Sequence, residues 1–194
     1  MRTKLALLAI AAATLAACAA TGGATRNELL AAVPHEMDEA GEPIVVVRDY
    51  AEDAKIDGQD VRRRVQYAWN YGRGVAQERV WVGEQGEPTV RDDVGLVLHA
   101  TEPEMEFAYR IVREDPRLAK RVPADALFYG GFIFRSANAT PCGMRSRCVH
   151  VFATRDHGRH MDVHAIVDLM RARVVITDAD PAMGGIADPV KKGG

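Results

Sequence analysis

Apolar and polar positions divide the chain into short elements. Ile44-Val45-Val46-Val47, bounded by Pro43 and the charged Arg48-Asp49, is a β-branched run of strand character. Asp57 stands as a cap ahead of Val61, Val65, Ala68 and Trp69, whose spacing predicts an amphipathic helix ended by Gly72 and Gly74. Arg79-Val80-Trp81-Val82 reads as the next strand, turned by Gly83-Glu84-Gln85-Gly86 into Thr89-Val90-Arg91, and Gly95-Leu96-Val97-Leu98-His99 as another. Thr101 with Glu104 is a capping-box signature, and Phe107, Ile111 and Val112 carry a helix to Pro116. Residues 127–134 form a strand with a bulge or a close backbone approach at Gly130-Gly131, followed by strands over 148–154, 160–169 and 173–177. This order predicts an α+β fold with helices packed on an antiparallel sheet, and a division near His99 into two small modules, 44–99 and 100–182.

The start of the chain is patterned differently. Met1-Arg2-Thr3-Lys4 is cationic, and residues 5–15 are Leu, Ala and Ile apart from Thr14. That is the plan of a secretory signal peptide, too short for the roughly 20 apolar residues of a spanning helix. Leu15-Ala16-Ala17-Cys18 closes the run and resembles the lipobox of bacterial lipoproteins. The resemblance implies removal of residues 1–17 and lipid on Cys18, which attaches the chain to the membrane. With Ala19 after the cysteine it also implies sorting to the periplasmic side of the outer membrane. Residues 18–43 then read as lipid attachment and tether, 44–182 as the folded domain and 183–194 as a disordered tail.

Composition narrows the partners. Of 194 residues 47% are hydrophobic, enough for a packed core, and the net charge is -2. Loss of Arg2 and Lys4 with the leader makes the mature chain more acidic still. No basic field attracts a phosphate backbone, so nucleic acid is excluded as a partner. Arg62-Arg63-Arg64 reads as the solvated side of its helix, and Trp69, Trp81, Phe107 and Phe128 as core.

Catalytic chemistry finds little footing. Ser136 and Ser146, the only serines, lie in no Gly-x-Ser-x-Gly elbow. Gly72-Arg73-Gly74 lacks the third glycine of a dinucleotide loop. Once Cys18 carries lipid, Cys142 and Cys148 are an even pair in an oxidising compartment and read as a disulfide, reinforcing a short turn by about 2–3 kcal/mol. The rival reading is a pair of thiolate metal ligands.

Residues 148–164, CVHVFATRDHGRHMDVH, hold four of the six histidines. In a hairpin that sets 154 opposite 160, His150 faces His164, with Cβ atoms roughly 4.5–5.5 Å apart and able to share one ion. Imidazole suits copper or zinc, with His160, Met161 or an Asp as a further ligand. A helix over 157–170 also brings His157, His160 and His164 to one side. There Met161 replaces the glutamate base that a His-Glu-x-x-His zinc protease requires. The β-branched Val163, Ile166 and Val167 favour the strand, and alternation then puts His164 on the polar, solvated face.

His99-Ala100-Thr101-Glu102 before a helix, and Ala165-Ile166-Val167-Asp168-Leu169-Met170-Arg171-Ala172-Arg173-Val174-Val175 at the close, carry a further resemblance. Roughly residues 99–181 resemble the small N-terminal accessory domains of copper amine oxidases and PepSY-type modules. The resemblance implies a cystatin-like helix on an antiparallel sheet and a non-catalytic role beside an envelope protein partner. It brings no catalytic residue and no cofactor.

Overall fold

The computed structural model describes residues 24–83, 86–136 and 142–179, and the leader, Cys18 and the 183–194 tail lie outside them. In chain order the elements are α1 (Arg26–Ala32), β1 (Glu36–Met37), β2 (Pro43–Ile56), β3 (Gln59–Asn70), β4 (Val75–Val82) and β5 (Thr89–Asp93), then α2 (Glu102–Glu114), β6 (Leu127–Phe134), β7 (Cys148–Arg155), β8 (His160–Asp168) and β9 (Arg173–Ile176). Strands dominate. They form two antiparallel sheets, a five-stranded one in the order β1-β2-β3-β4-β5 and a four-stranded one in the order β6-β7-β8-β9. The expected α+β fold, helices packed on one cystatin-like sheet, is therefore overturned. The chain is mostly β, and no helix among the described residues is long and apolar enough to cross a membrane.

The largest correction is at 57–70, where the expected helix is strand β3. Val61, Val65 and Trp69 recur at intervals of four, which lie on one face of a helix and equally on one face of a strand. Asp57-Gly58 decides between them. Both residues have positive φ, 51° and 81°, the requirement of a tight two-residue hairpin turn, and Ile56 pairs with Gln59 across it. β2 accordingly runs through Arg48-Asp49 rather than stopping there. Arg62, Arg63 and Arg64 pair across the strands with Asp53, Glu52 and Asp49, the middle pair half-buried on the opposite face from the two more exposed ones. Such surface pairs are worth well under 1 kcal/mol each, so register here comes mainly from the turn and the buried far end.

Two further expectations change. Within the expected tether 18–43, Thr25 and Glu28 cap α1 reciprocally, and Leu29 and Val33 are buried. The expected strand at 95–99 makes no ladder, though Leu98 is buried in the core with Leu96 and Val97 against it. α2 itself begins at the expected capping box, Thr101 with Glu104.

α2 lies on the second sheet and buries Met105, Phe107, Ala108, Ile111 and Val112. Val149, Val151 and Ala153 of β7 and Val163, Ala165 and Val167 of β8 meet it in one apolar cluster. That cluster also takes in Leu29, Val45, Trp69, Tyr71 and Ala76 from the first half of the chain. The two sheets are thus separate in their ladders and joined through a shared core. β6 carries its bulge at Gly130-Gly131, where the register shifts and a Cβ on Gly130 would stand 2.1 Å from the His150 carbonyl oxygen.

Gly58→Ala tests the hairpin. A Cβ there meets no atom within 4 Å but sits on a left-handed backbone, costing about 1 kcal/mol. Amide exchange across 53–62 is expected to accelerate while β7 and β8 are unchanged. In a helix the same change slows exchange, because alanine is the better helix former.

Candidate functional site

The histidine hairpin forms as β7 and β8, with His157 in the turn at φ 56°. Its register differs from expectation. Arg155 faces His160 and Thr154 faces Met161, then an irregularity at Ala153/Thr154 shifts the pairing so that Phe152 faces His164 and His150 faces Ile166. A displacement of two residues keeps each side chain on its face. His150 and His164 therefore still meet, diagonally, with Nδ1 of His150 2.8 Å from Nε2 of His164, one ring N–H donating to the other ring.

That face is not solvated as expected. His150 and His164 are 5% and 6% exposed. Phe134 stands edge-on to His150 at 5.6 Å, Phe152 lies 4.4 Å from the His164 ring, and the Ala179 amide donates to the His164 carbonyl at 2.8 Å. Burial, reinforced by the neighbouring His164, lowers the pKa of His150 from 6.5 to about 4, so His150 is neutral at pH 7. His160 and Met161, the further candidate ligands, are exposed on the strand end away from the pair. Among the described residues no group of three or more His, Cys, Asp or Glu is arranged to hold an ion. Copper or zinc would have two imidazoles here, already bonded to each other.

The Cys142 and Cys148 sulfurs are at bonding distance, 2.17 Å, with Cα atoms 5.8 Å apart. The loop they close carries Ser146, whose hydroxyl donates to the Gly143 carbonyl at 2.6 Å, and Arg147. Asn138-Ala139-Thr140, which by sequence fits a glycosylation acceptor, lies outside the described residues.

Arg147 centres a fully buried polar cluster that sequence reasoning missed. Its Nε and Nη2 donate to the two carboxylate oxygens of Glu104 at 2.5 and 2.7 Å. Its remaining donors reach the carbonyls of Leu98 at 3.2 Å and His99 at 3.1 Å, so these two carbonyls bond to a side chain. The Tyr71 hydroxyl donates to Glu104 Oε1 at 2.5 Å, and the Thr101 amide to Oε2 at 2.7 Å. Arg147 also lies over Trp69 at 5.2 Å, with Arg135 over the same ring at 5.4 Å. Burial opposes the charge on Glu104, but the guanidinium beside it and the bonds it accepts hold its carboxyl below the usual range. Burial and the Glu104 charge together raise the Tyr71 hydroxyl far above its ordinary value. The capping box had revealed Glu104 only as a helix cap; its partners lie 33 and 43 residues away.

The concave surface lies elsewhere. A cleft of about 430 Å³ runs between the outer side of α2 and the start of β6, lined by Glu106, Tyr109, Arg110, Arg113, Leu127 and Phe128 among others. Another, of about 360 Å³, sits between α1 and α2. Phe128, half-buried rather than fully core, tilts on Tyr109 at 5.2 Å, and Trp81 is likewise half-buried, with Arg64 and Arg79 over its ring. No protein-family model matches the chain, and no curated protein is significantly similar to it.

Arg147→Ala strands a buried carboxylate and is expected to cost about 3–5 kcal/mol in urea unfolding, against less than 1 kcal/mol for the exposed Arg62→Ala. His150 gives a pH signature. The unfolded ring takes a proton below about pH 6.5 and the folded ring only near 4, so its contribution is complete above 6.5 and lost as pH falls to about 4. Between pH 7.5 and 4.5, His150→Asn is expected to lose about 1–3 kcal/mol less stability than the unaltered chain.

Proposed function

We propose that the chain is an exported, lipid-anchored accessory domain that binds another protein of the cell envelope and catalyses no reaction. The observation that carries the reading is β6. Its sequence, Leu-Phe-Tyr-Gly-Gly-Phe-Ile-Phe, has no charge, it forms an outer edge of its sheet, and Leu127, Tyr129 and Phe132 are 42%, 48% and 60% exposed. An uncharged, apolar sheet edge invites pairing, and proteins that keep one in solution use it or suffer for it. The absence of catalysis rests on where the perturbed groups sit. Tyr71, Glu104, Arg147 and His150, the most strongly perturbed, are sealed inside and bonded to neighbours and line neither cleft described above; Tyr109, whose hydroxyl is pushed up by burial, is the shifted group that lines the cleft beside β6. The anchor and the compartment rest on the lipobox resemblance at Cys18.

The test places a photoreactive benzoylphenylalanine in the full chain in its own cells, at Tyr129 and separately at exposed Lys120. A discrete adduct to one envelope protein from position 129 and none from 120 is expected, with Cys18→Ser releasing the chain from the membrane fraction. Absence of an adduct from any exposed β6 position, or turnover of a substrate abolished by one substitution, overturns the reading.

A further inference from the structure

The cleft beside β6 narrows the kind of partner, building on the binding reading above. Arg110 and Arg113 stand on the exposed side of α2 and form no ion pair among the described residues. Each instead lies over an aromatic ring at 4.8 Å, Arg110 over Phe107 and Arg113 over Phe128. Stacking holds a guanidinium in place while leaving its N–H fork open to a carboxylate. Glu106 is the one carboxylate lining the cleft, so the wall beside the open edge is net positive.

β6 supplies the other half. Ala100 donates its amide to the Gly131 carbonyl at 3.5 Å at the bulge, whereas among the described residues no strand pairs with the outer side of Leu127, Phe128, Tyr129 and Gly130. Along this stretch Phe128 packs against the core on the α2 side, and Leu127 and Tyr129 face the opposite way. A strand added here would present alternate side chains to the two faces. One set meets Arg110 and Arg113; the other meets Leu127 and Tyr129.

We infer that this edge takes an extended polypeptide segment in which acidic and apolar residues alternate, bound by main-chain pairing to β6 and by its carboxylates to Arg110 and Arg113. The pairing supplies affinity and the arginines set register. A lone charged or apolar segment satisfies only one face.

The test uses the full lipidated chain in nanodiscs and three fluorescent peptides: alternating valine and glutamate, the same peptide N-methylated at alternate residues, and alternating valine and lysine. Binding of the first peptide, weakened about tenfold or more by N-methylation, by exchange of glutamate for lysine and by Arg110→Glu with Arg113→Glu, supports the inference. Equal binding of the N-methylated peptide reduces the site to surface charge and overturns it. So does sedimentation as a dimer that Tyr129→Lys dissociates, which makes a second copy of the chain the occupant. If no peptide binds while the position 129 adduct to an envelope protein persists, this partner class is wrong and the broader binding reading stands. Loss of the adduct as well removes both.

Discussion

The buried ion pair between Glu104 and Arg147 is the constraint around which the two sheets are arranged. Glu104 is 0% exposed and Arg147 is 1% exposed, and removing two such charges from water costs several kcal/mol per ion before any contact is made. The pair persists because nearly every hydrogen-bonding position is used: two-pronged contact between the charges, two backbone carbonyls for the guanidinium, and a hydroxyl, a backbone amide and the Thr101 side chain for the carboxylate. Each partner comes from a different part of the fold. Tyr71 follows β3, Leu98 and His99 precede α2, Glu104 opens α2, and Arg147 precedes β7. An apolar contact among these elements would allow sliding, whereas a satisfied buried charge does not.

The disulfide and the histidine pair lie next to this anchor along the chain. Cys148 follows Arg147 directly, so the covalent loop limits where the guanidinium can enter, and β7 then carries His150 two residues further on. Alternation along β7 sends Val149 and Val151 toward α2 and His150 to the other side, where Phe134 and Phe152 enclose it. On that side one hydrogen bond joins the two rings, and Phe134 and Phe152 pack around them. Burial, with His164 beside it, keeps His150 neutral at pH 7. The polar groups around Arg147 and His150 are thus bonded to one another inside the fold.

How much was legible follows from the range of each signal. Local ones survived: the Thr101 and Glu104 capping box, the glycine bulge of β6, the β7–β8 hairpin with His157 in its turn, and the strands to either side. The capping box at Thr25 and Glu28 was equally local and was hidden by the small, polar residues before it. Asp57-Gly58 carried the hairpin signal in full, yet aspartate before an apolar series also reads as a helix cap, and a spacing of four fits both periods. The His150 and His164 meeting was legible because a register error of two preserves the face. Their burial was not, since the residues that cover them come from β6 and from beyond β9.

By itself the sequence carried the β7–β8 hairpin, the bulge of β6, the Thr101 capping box and the pairing of Cys142 with Cys148, because each depends on residues within a few positions of one another. Tertiary structure alone decided that the chain is mostly β in two sheets, that Glu104 meets Arg147 and Tyr71, that the histidines are sealed and that β6 is left as an open edge beside two arginines. Burial and pairing partners are set by which distant segments pack together. Composition and spacing carry no record of that distance.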